Sequence, residues 1–207
     1  MRQTTIDRRK SLWKFDQQYF ETYHTICGVD EAGRGPLAGD VYAAAVILPE
    51  QCSIEGLDDS KKLSERCREL LCQEIQKKAV CFCIATASIA EIEKYNILQA
   101  SLLAMKRAVE GLSITPDYAL IDGNQLPKLK IPMACIVKGD ATSASIAAAS
   151  VLAKVARDQY MIAQAKLYPG YLFEKHKGYG TAEHRKLLLQ KGACPIHRQS
   201  FLKKILP

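Results

Sequence analysis

No Cys-x-x-Cys pair occurs in this 207-residue sequence, although it holds eight cysteines. Cys67 and Cys72 stand five apart, Cys81 and Cys83 two apart, and Cys27, Cys52, Cys135 and Cys194 are scattered. That spacing excludes a zinc ribbon, and a chain of this size without a secretory signal is not built as a disulfide scaffold. Buried or idle thiols in a reducing cytoplasm are the expectation. Long apolar runs are also lacking: the longest, Val41 to Leu48, falls far short of a membrane span. The opening MRQTTIDRRKS is polar and basic and does not lead into the apolar stretch of a secretory signal. A soluble, cytoplasmic protein with no membrane partner is therefore expected. Eight prolines and twelve glycines are too few for a low-complexity chain, and no repeat of solenoid length is visible.

What is present suits one full core. Hydrophobic residues make up 48% and charged residues 25%, ordinary for a globular protein. The formal net charge of +7 favours a polyanionic partner, although a merely soluble basic surface would look the same. Helical spacing of Leu12, Phe15, Tyr19 and Tyr23 predicts a short helix over 11–23. Thr25 to Glu31 and Val41 to Leu48 are β-type runs around Gly33-Arg34-Gly35-Pro36 and read as a hairpin with a Gly-rich connection. Ser64 is a plausible N-cap for a helix to about Lys78, followed by a strand from Val80 to Ala87. A helix from Asn96 to Glu110 ends at Gly111, short strands follow at Tyr118 to Asp122 and Ala134 to Val137, and Thr142 to Lys166 forms one long Ala-rich helix. This order indicates a mixed α/β architecture with one central sheet flanked by helices. The expected organisation is a main α/β domain over 1–168 with 169–207 as a C-terminal helical and basic extension packed on it.

Most acidic residues fall on solvated helix faces, but four do not. Asp30 and Glu31 end an apolar strand, Asp122 ends Tyr118-Ala119-Leu120-Ile121, and Asp140 stands between Ile136-Val137-Lys138-Gly139 and the long helix. A carboxylate at the end of a buried strand is costly to desolvate unless it binds a cation or accepts hydrogen bonds. Singly, Asp122 before Gly123 reads as a turn residue and Asp140 as a helix cap. Together they present acids at three separate strand ends of one sheet. Hard oxygen ligands of this kind suit Mg²⁺ or Mn²⁺, and two such ions about 4 Å apart serve phosphodiester hydrolysis. Neighbours in a regular strand face opposite ways, so Asp30 and Glu31 share one site only if the Gly turn bends the chain.

The Gly-rich segment Gly33-Arg34-Gly35-Pro36-Leu37-Ala38-Gly39 lacks both Gly-Lys-Ser/Thr and the GxGxxG spacing, so it is not a nucleotide cradle of either type. It reads either as a tight turn or as a loop close enough to a sugar-phosphate for backbone groups to meet a 2′-hydroxyl. Lys61 and Lys62 in Asp58-Asp59-Ser60-Lys61-Lys62, with Lys177 and Tyr179 in Lys175-His176-Lys177-Gly178-Tyr179-Gly180, are candidate backbone and stacking contacts; exposed loops are the plainer alternative. Arg157 and Asp158 read as a structural charge pair, while His197 and Arg198 are ambiguous.

With these segments in hand, the sequence resembles the bacterial ribonuclease HII family from about Leu12 to Phe201. The resemblance is carried by GVDEAGRGPLAG (28–39), LDDSKKLS (57–64), YNILQASLLAM (95–105), LIDGN (120–124), KGDATSASIAAASVLAKVARD (138–158), EKHKGYGT (174–181) and PIHRQSF (195–201). It implies a ribonuclease H-like fold with a helical C-terminal part. It also implies catalytic, metal-holding roles for Asp30, Glu31, Asp122 and Asp140, and a 2′-hydroxyl-sensing loop at Gly33, Arg34 and Gly35. The family's junction-sensing tyrosine best matches Tyr179. The implied reaction uses two Mg²⁺ or Mn²⁺ ions to hydrolyse the RNA strand of RNA/DNA hybrids and to nick 5′ to ribonucleotides in duplex DNA, leaving a 3′-hydroxyl and a 5′-phosphate. Ribonucleotide excision and clearance of RNA at replication follow as expected roles, with a monomer as the default state. Asp40 departs from the proline common after PLAG.

Two alternatives differ from this reading. The sister family, ribonuclease HIII, lacks an intact Gly-Arg-Gly loop and carries an N-terminal substrate-binding domain, whereas here the loop is intact and only about 27 residues precede the first acidic strand end. A non-catalytic hybrid-binding module would use the basic surface but leave the four strand-end acids unexplained.

Overall fold

The structure, a computed structural model, describes residues 3–58, 60 and 63–206, and of residues 3–10 only the backbone. Helix α1 (Gln3–Phe20) leads into strands β1 (Ile26–Ala32) and β2 (Val41–Ile47), which pair antiparallel as a hairpin. Helix α2 (Glu65–Lys78) starts at Ser64, whose side chain accepts the Cys67 N–H, and β3 (Cys81–Ala87) then pairs antiparallel with β2. Helix α3 (Ile89–Glu110) precedes β4 (Tyr118–Asp122) and β5 (Met133–Ile136). The sheet order is β3-β2-β1-β4-β5, with β1, β4 and β5 parallel to one another. A single 3₁₀ turn (Gly139–Ala141) enters the long helix α4 (Ala144–Leu167), and short helices α5 (Phe173–His176), α6 (Ala182–Lys191) and α7 (Gln199–Leu202) close the chain. The mixed sheet between helices matches the expected fold class.

Strand alternation assigns the two faces. Ala44 and Val46 of β2 pack with α2 and the Ala-rich stripe of α4, whereas Ala43, Ala45 and Ile47 pack with Ala100, Ala104 and Ala108 of α3. The small side chains of α4 let its first turn lie directly on β1. A Cβ at Gly28 would sit 2.1 Å from the Ser145 carbonyl carbon, so only glycine fits there. Asp16 of α1 secures the same turn: its Oδ2 accepts the Ser145 N–H at 2.8 Å and the Ser145 hydroxyl at 2.7 Å, answering an N-terminal donor of α4.

Three boundaries differ from the sequence expectation by more than two residues: helix α1 begins at Gln3 rather than 11, and two others shift for physical reasons. Helix α3 begins at Ile89 rather than Asn96, because Ser88 and Glu91 form a capping box that starts an earlier segment. Asn96, at φ 70°, breaks that segment and caps the next one, its Oδ1 accepting the Leu98 and Gln99 N–H groups. Helix α1 stops at Phe20, and Tyr23 instead stacks on Tyr118 at 4.4 Å between ring centroids.

Gly28→Ala should cost about 3 kcal/mol, since the clash is with backbone that cannot rotate away. Chemical denaturation of the two proteins checks it, and an unchanged midpoint would contradict the close contact of α4 with β1.

Candidate active site

Three of the four strand-end acids border one cavity. It is lined by Asp30, Glu31 and Asp122 together with Gly33, Arg34 and Gly35, and by Ser60, Ser150, Lys154 and Tyr179. Asp30 and Asp122 meet because Gly28 pairs with Leu120 in the parallel β1–β4 register, so residues two further on share the α4 face. Asp30 is buried; its Oδ1 accepts the Glu31 N–H at 2.7 Å. Burial drives the Asp30 carboxyl well above the usual carboxylate range, and the charges of Glu31 and Asp122 push it further, against bonding from Ser150.

Glu31 reaches the site without the bend anticipated from sequence. Strand β1 stays in register with β2 as far as Ala32 and Tyr42, so Glu31 does point to the α3 face. The β1 pairs with β4 end at Val29 and Ile121, however, so Glu31 sits at a strand tip flanked only by β2 and borders clefts on both faces. Asp140 is placed differently. It is buried in the 3₁₀ turn and is not among the residues bordering the cavity, but that turn hangs on Asp122, whose Oδ1 accepts the Gly139 N–H at 2.6 Å. Among the described residues no three His, Cys, Asp or Glu side chains stand at metal-coordinating spacing. The donor set of the cavity, carboxylates and hydroxyls without His or Cys, fits hard divalent cations.

The Gly-rich loop is held from behind by two buried arginines that the sequence reading left as ambiguous or as half of a charge pair. Arg198 donates to the carbonyls of Gly33 (2.7 Å), Arg34 (3.0 Å), Pro36 (2.9 Å) and Gly39 (2.8 Å). Arg157 donates to the carbonyls of Ala38 (3.0 Å), Asp40 (3.1 Å) and Lys177 (3.1 Å). The expected Arg157–Asp158 pair is therefore corrected: Asp158 binds Lys154 at 2.6 Å and Arg68 at 3.7 Å. Gly33, at φ 100°, has no room for a side chain, because a Cβ would meet the Arg157 guanidinium at 2.0 Å. Asp40 has a local task, its Oδ1 accepting the N–H of Ile89 at the start of α3.

The C-terminal segment closes the other side. Backbone bonds join Leu37 to Gly178, Gly39 to Ile196 and Arg198 to Leu37, each at 2.8 Å. Tyr179, 41% exposed, brings its ring into the cavity, 5.7 Å from Lys154 Nζ and 5.9 Å from the Arg157 guanidinium carbon. Lys177 does not join it. Its side chain is only 11% exposed and turns to the Glu174 carbonyl and Glu65, while its own carbonyl serves Arg157. Lys61 and Lys62 lie outside the described residues; their neighbour Ser60 reaches the cavity and bonds Ser150 at 2.8 Å. Among the described residues Lys154, not singled out from sequence, is the lysine that lines the site, and burial lowers its pKa. Its signal was its place four residues after Ser150 on the same helix face.

Behind Tyr179 lie three buried histidines, His176, His184 and His197; burial lowers the pKa of each, with His184 pushed down to about 4.

The family model for ribonuclease HII matches residues 27–204. The chain belongs to the ribonuclease HII family. It is 51% identical to ribonuclease HII of Caldicellulosiruptor saccharolyticus, over 92% of this chain and 97% of that relative. It is 58% identical to ribonuclease HII of Idiomarina loihiensis, over 85% of this chain and 94% of that one. Among solved structures it is similar to ribonuclease H2 from Pyrococcus horikoshii OT3, with a TM-score of 0.74, 24% identity and coverage of 87% of this chain and 96% of that one. It is also similar in fold to Bst ribonuclease HIII in complex with Mn²⁺, with a TM-score of 0.65, 16% identity and coverage of 81% and 63%. Family membership makes the chain a ribonuclease H-type endoribonuclease and sets the ribonuclease HIII and binding-module alternatives aside. Among the described residues no helix is long and apolar enough to cross a membrane.

A histidine whose folded pKa lies below its unfolded value contributes stability that is complete above about 6.5 and drains as pH falls toward the folded value. His184 should therefore lose stability between pH 6.5 and about 4, by at most about 1.4 kcal/mol per pH unit. Asp16 and Asp30, raised by burial, act with the opposite sign at acidic pH, so the comparison needed is with His184→Asn. The stability difference between the two proteins should shrink from pH 7.5 to 4.5; a constant difference would show that His184 is not buried neutral.

Proposed function

We propose that this enzyme hydrolyses the RNA strand of RNA/DNA hybrids and nicks duplex DNA 5′ to embedded ribonucleotides, leaving a 3′-hydroxyl and a 5′-phosphate. The observation that carries the reading is the meeting of Asp30, Glu31 and Asp122 with the Gly33–Gly35 loop and Tyr179 around one cavity. Asp30, Glu31 and Asp122 would hold two Mg²⁺ or Mn²⁺ ions there, with Asp140 joining from the turn tied to Asp122. Divalent cations so placed activate water and offset the charge that builds on the scissile phosphate.

The chain's own residues do the rest. Crowding of Asp30 against Glu31 and Asp122 supports cation binding, because bound positive charge relieves the repulsion that adds to burial in raising Asp30. Arg157 and Arg198 draw the loop carbonyls inward, which leaves the Gly33–Gly35 backbone fixed for a sugar to lie against. The exposed Arg34 guanidinium, 3.5 Å from Glu31, stands ready for a phosphate, and the Tyr179 ring offers a stacking face at the RNA-to-DNA junction. Residues 169–207 then act as an appendage that completes the substrate site. We take the working unit to be one chain in the cytoplasm, a reducing compartment that suits eight free thiols.

Incubation with a DNA duplex carrying one ribonucleotide should give a nick on its 5′ side with Mg²⁺ or Mn²⁺ and none with EDTA. Intact substrate under every metal condition would end the proposal. Asp122→Asn should lower cleavage by more than about a hundredfold while hybrid binding survives, and near-normal turnover would refute its metal role. Tyr179→Ala should weaken the preference for the junction substrate more than it slows cutting of a uniform hybrid, measured as the ratio of the two rates; an unmoved ratio would remove Tyr179 from junction recognition.

A further inference from the structure

The three buried histidines do not touch the carboxylates, yet every ring nitrogen among them has a partner. Cys194 aims its N–H at His197 Nδ1 at 2.9 Å. That lone pair must accept, so the His197 proton sits on Nε2; a proton on Nδ1 directed to the Cys194 carbonyl at 3.2 Å would oppose this N–H. His197 Nε2 lies 3.0 Å from His184 Nε2, so His197 donates and His184 accepts. A neutral His184 then carries its proton on Nδ1 and donates it to the Tyr179 carbonyl at 2.9 Å. His176 stacks on His184 at 4.2 Å with the rings 15° apart, accepts the Gly178 N–H at Nδ1 and donates from Nε2 to the Tyr171 carbonyl. The Tyr179 N–H is held in turn by the His176 carbonyl at 2.9 Å.

From Cys194 through His197 to His184 each link fixes the next, and that sequence of donors has one direction and one end point, the Tyr179 carbonyl. The cluster is no metal site, because the Cys194 sulfur faces His197 Nδ1 while His184 faces the opposite nitrogen of that ring. We infer that His184 and His197 are positioning residues that set the Tyr179 ring over the Gly33–Gly35 loop through a one-way chain of neutral imidazole hydrogen bonds. Its bearing on substrate choice rests on the stacking role given to Tyr179 above.

Two measurements on the full chain test it. Long-range ¹H–¹⁵N spectra of the imidazoles at pH 7.5 should show His197 and His176 protonated at Nε2 and His184 at Nδ1. A His184 protonated at Nε2, or a charged His184 or His197, would overturn the chain. The second measurement is the ratio of cleavage at a single embedded ribonucleotide to cleavage of a uniform hybrid. His184→Leu, which ends the bond to Tyr179, should lower the ratio about fivefold, as expected for one lost hydrogen bond. His184→Asn, which offers an amide N–H where the imidazole has Nδ1, should recover most of it. In a Tyr179→Ala background the Leu substitution should leave the ratio where Tyr179→Ala put it. A fivefold loss that persists in that background, or Asn no better than Leu, would overturn the positioning role. An unmoved ratio in Tyr179→Ala alone counts against the stacking role, whereas the tautomer pattern judges the chain itself.

Discussion

Like charges crowded at the end of two parallel strands are the constraint around which this fold is arranged. Asp30 and Asp122 share a sheet face because Gly28 and Leu120 are paired, and Glu31 joins them because β4 stops short of it. Burial and repulsion both oppose ionisation of Asp30. A fold that forces such groups together is destabilised by them until positive charge arrives, which is the usual mark of a site built for cations and not for its own stability. The close seating of α4 on Gly28 serves the same end, since it brings Ser150 to Asp30 and Lys154 to the rim.

The Gly-rich loop is fixed by a different device. Loops are costly to order, and this one is ordered by charge-assisted hydrogen bonds from two guanidinium groups that solvent scarcely reaches. Burial pulls the Arg198 pKa down to about 9, yet a planar donor set that meets four carbonyls compensates for lost water in a way a lysine could not. The C-terminal segment is bound to the loop by backbone pairing and supplies both Arg198 and Tyr179, so parts of the cavity wall that are distant in the chain are held against one another.

Much of this was legible in the sequence because strand ends announce themselves. Apolar runs that stop on Asp30 and Asp122, and the short strand that precedes Asp140, mark carboxylates placed where solvation is poor, and the hairpin, the Ser64 cap and the long α4 follow from local pattern alone. Arg157, Arg198 and the histidines were not legible, because a buried guanidinium or imidazole has no local signature and its role is set by carbonyls far along the chain. Lys177 illustrates the converse: a lysine in a Gly-rich loop looks free, but its left-handed backbone turns the side chain toward Glu65 and Glu174. The start of α3 lies before the expected one because Asn96 caps a segment of its own and hides the capping box that opens eight residues earlier at Ser88.

The central claim is that carboxylates distant in sequence gather divalent cations at one point. Crystals soaked in Mn²⁺ and measured at the manganese absorption edge test it directly. Anomalous peaks should appear within coordination distance of Asp30, Glu31 and Asp122, with Asp140 turned toward them. Peaks only elsewhere on the surface, with these carboxylates left without metal at saturating Mn²⁺, would contradict it.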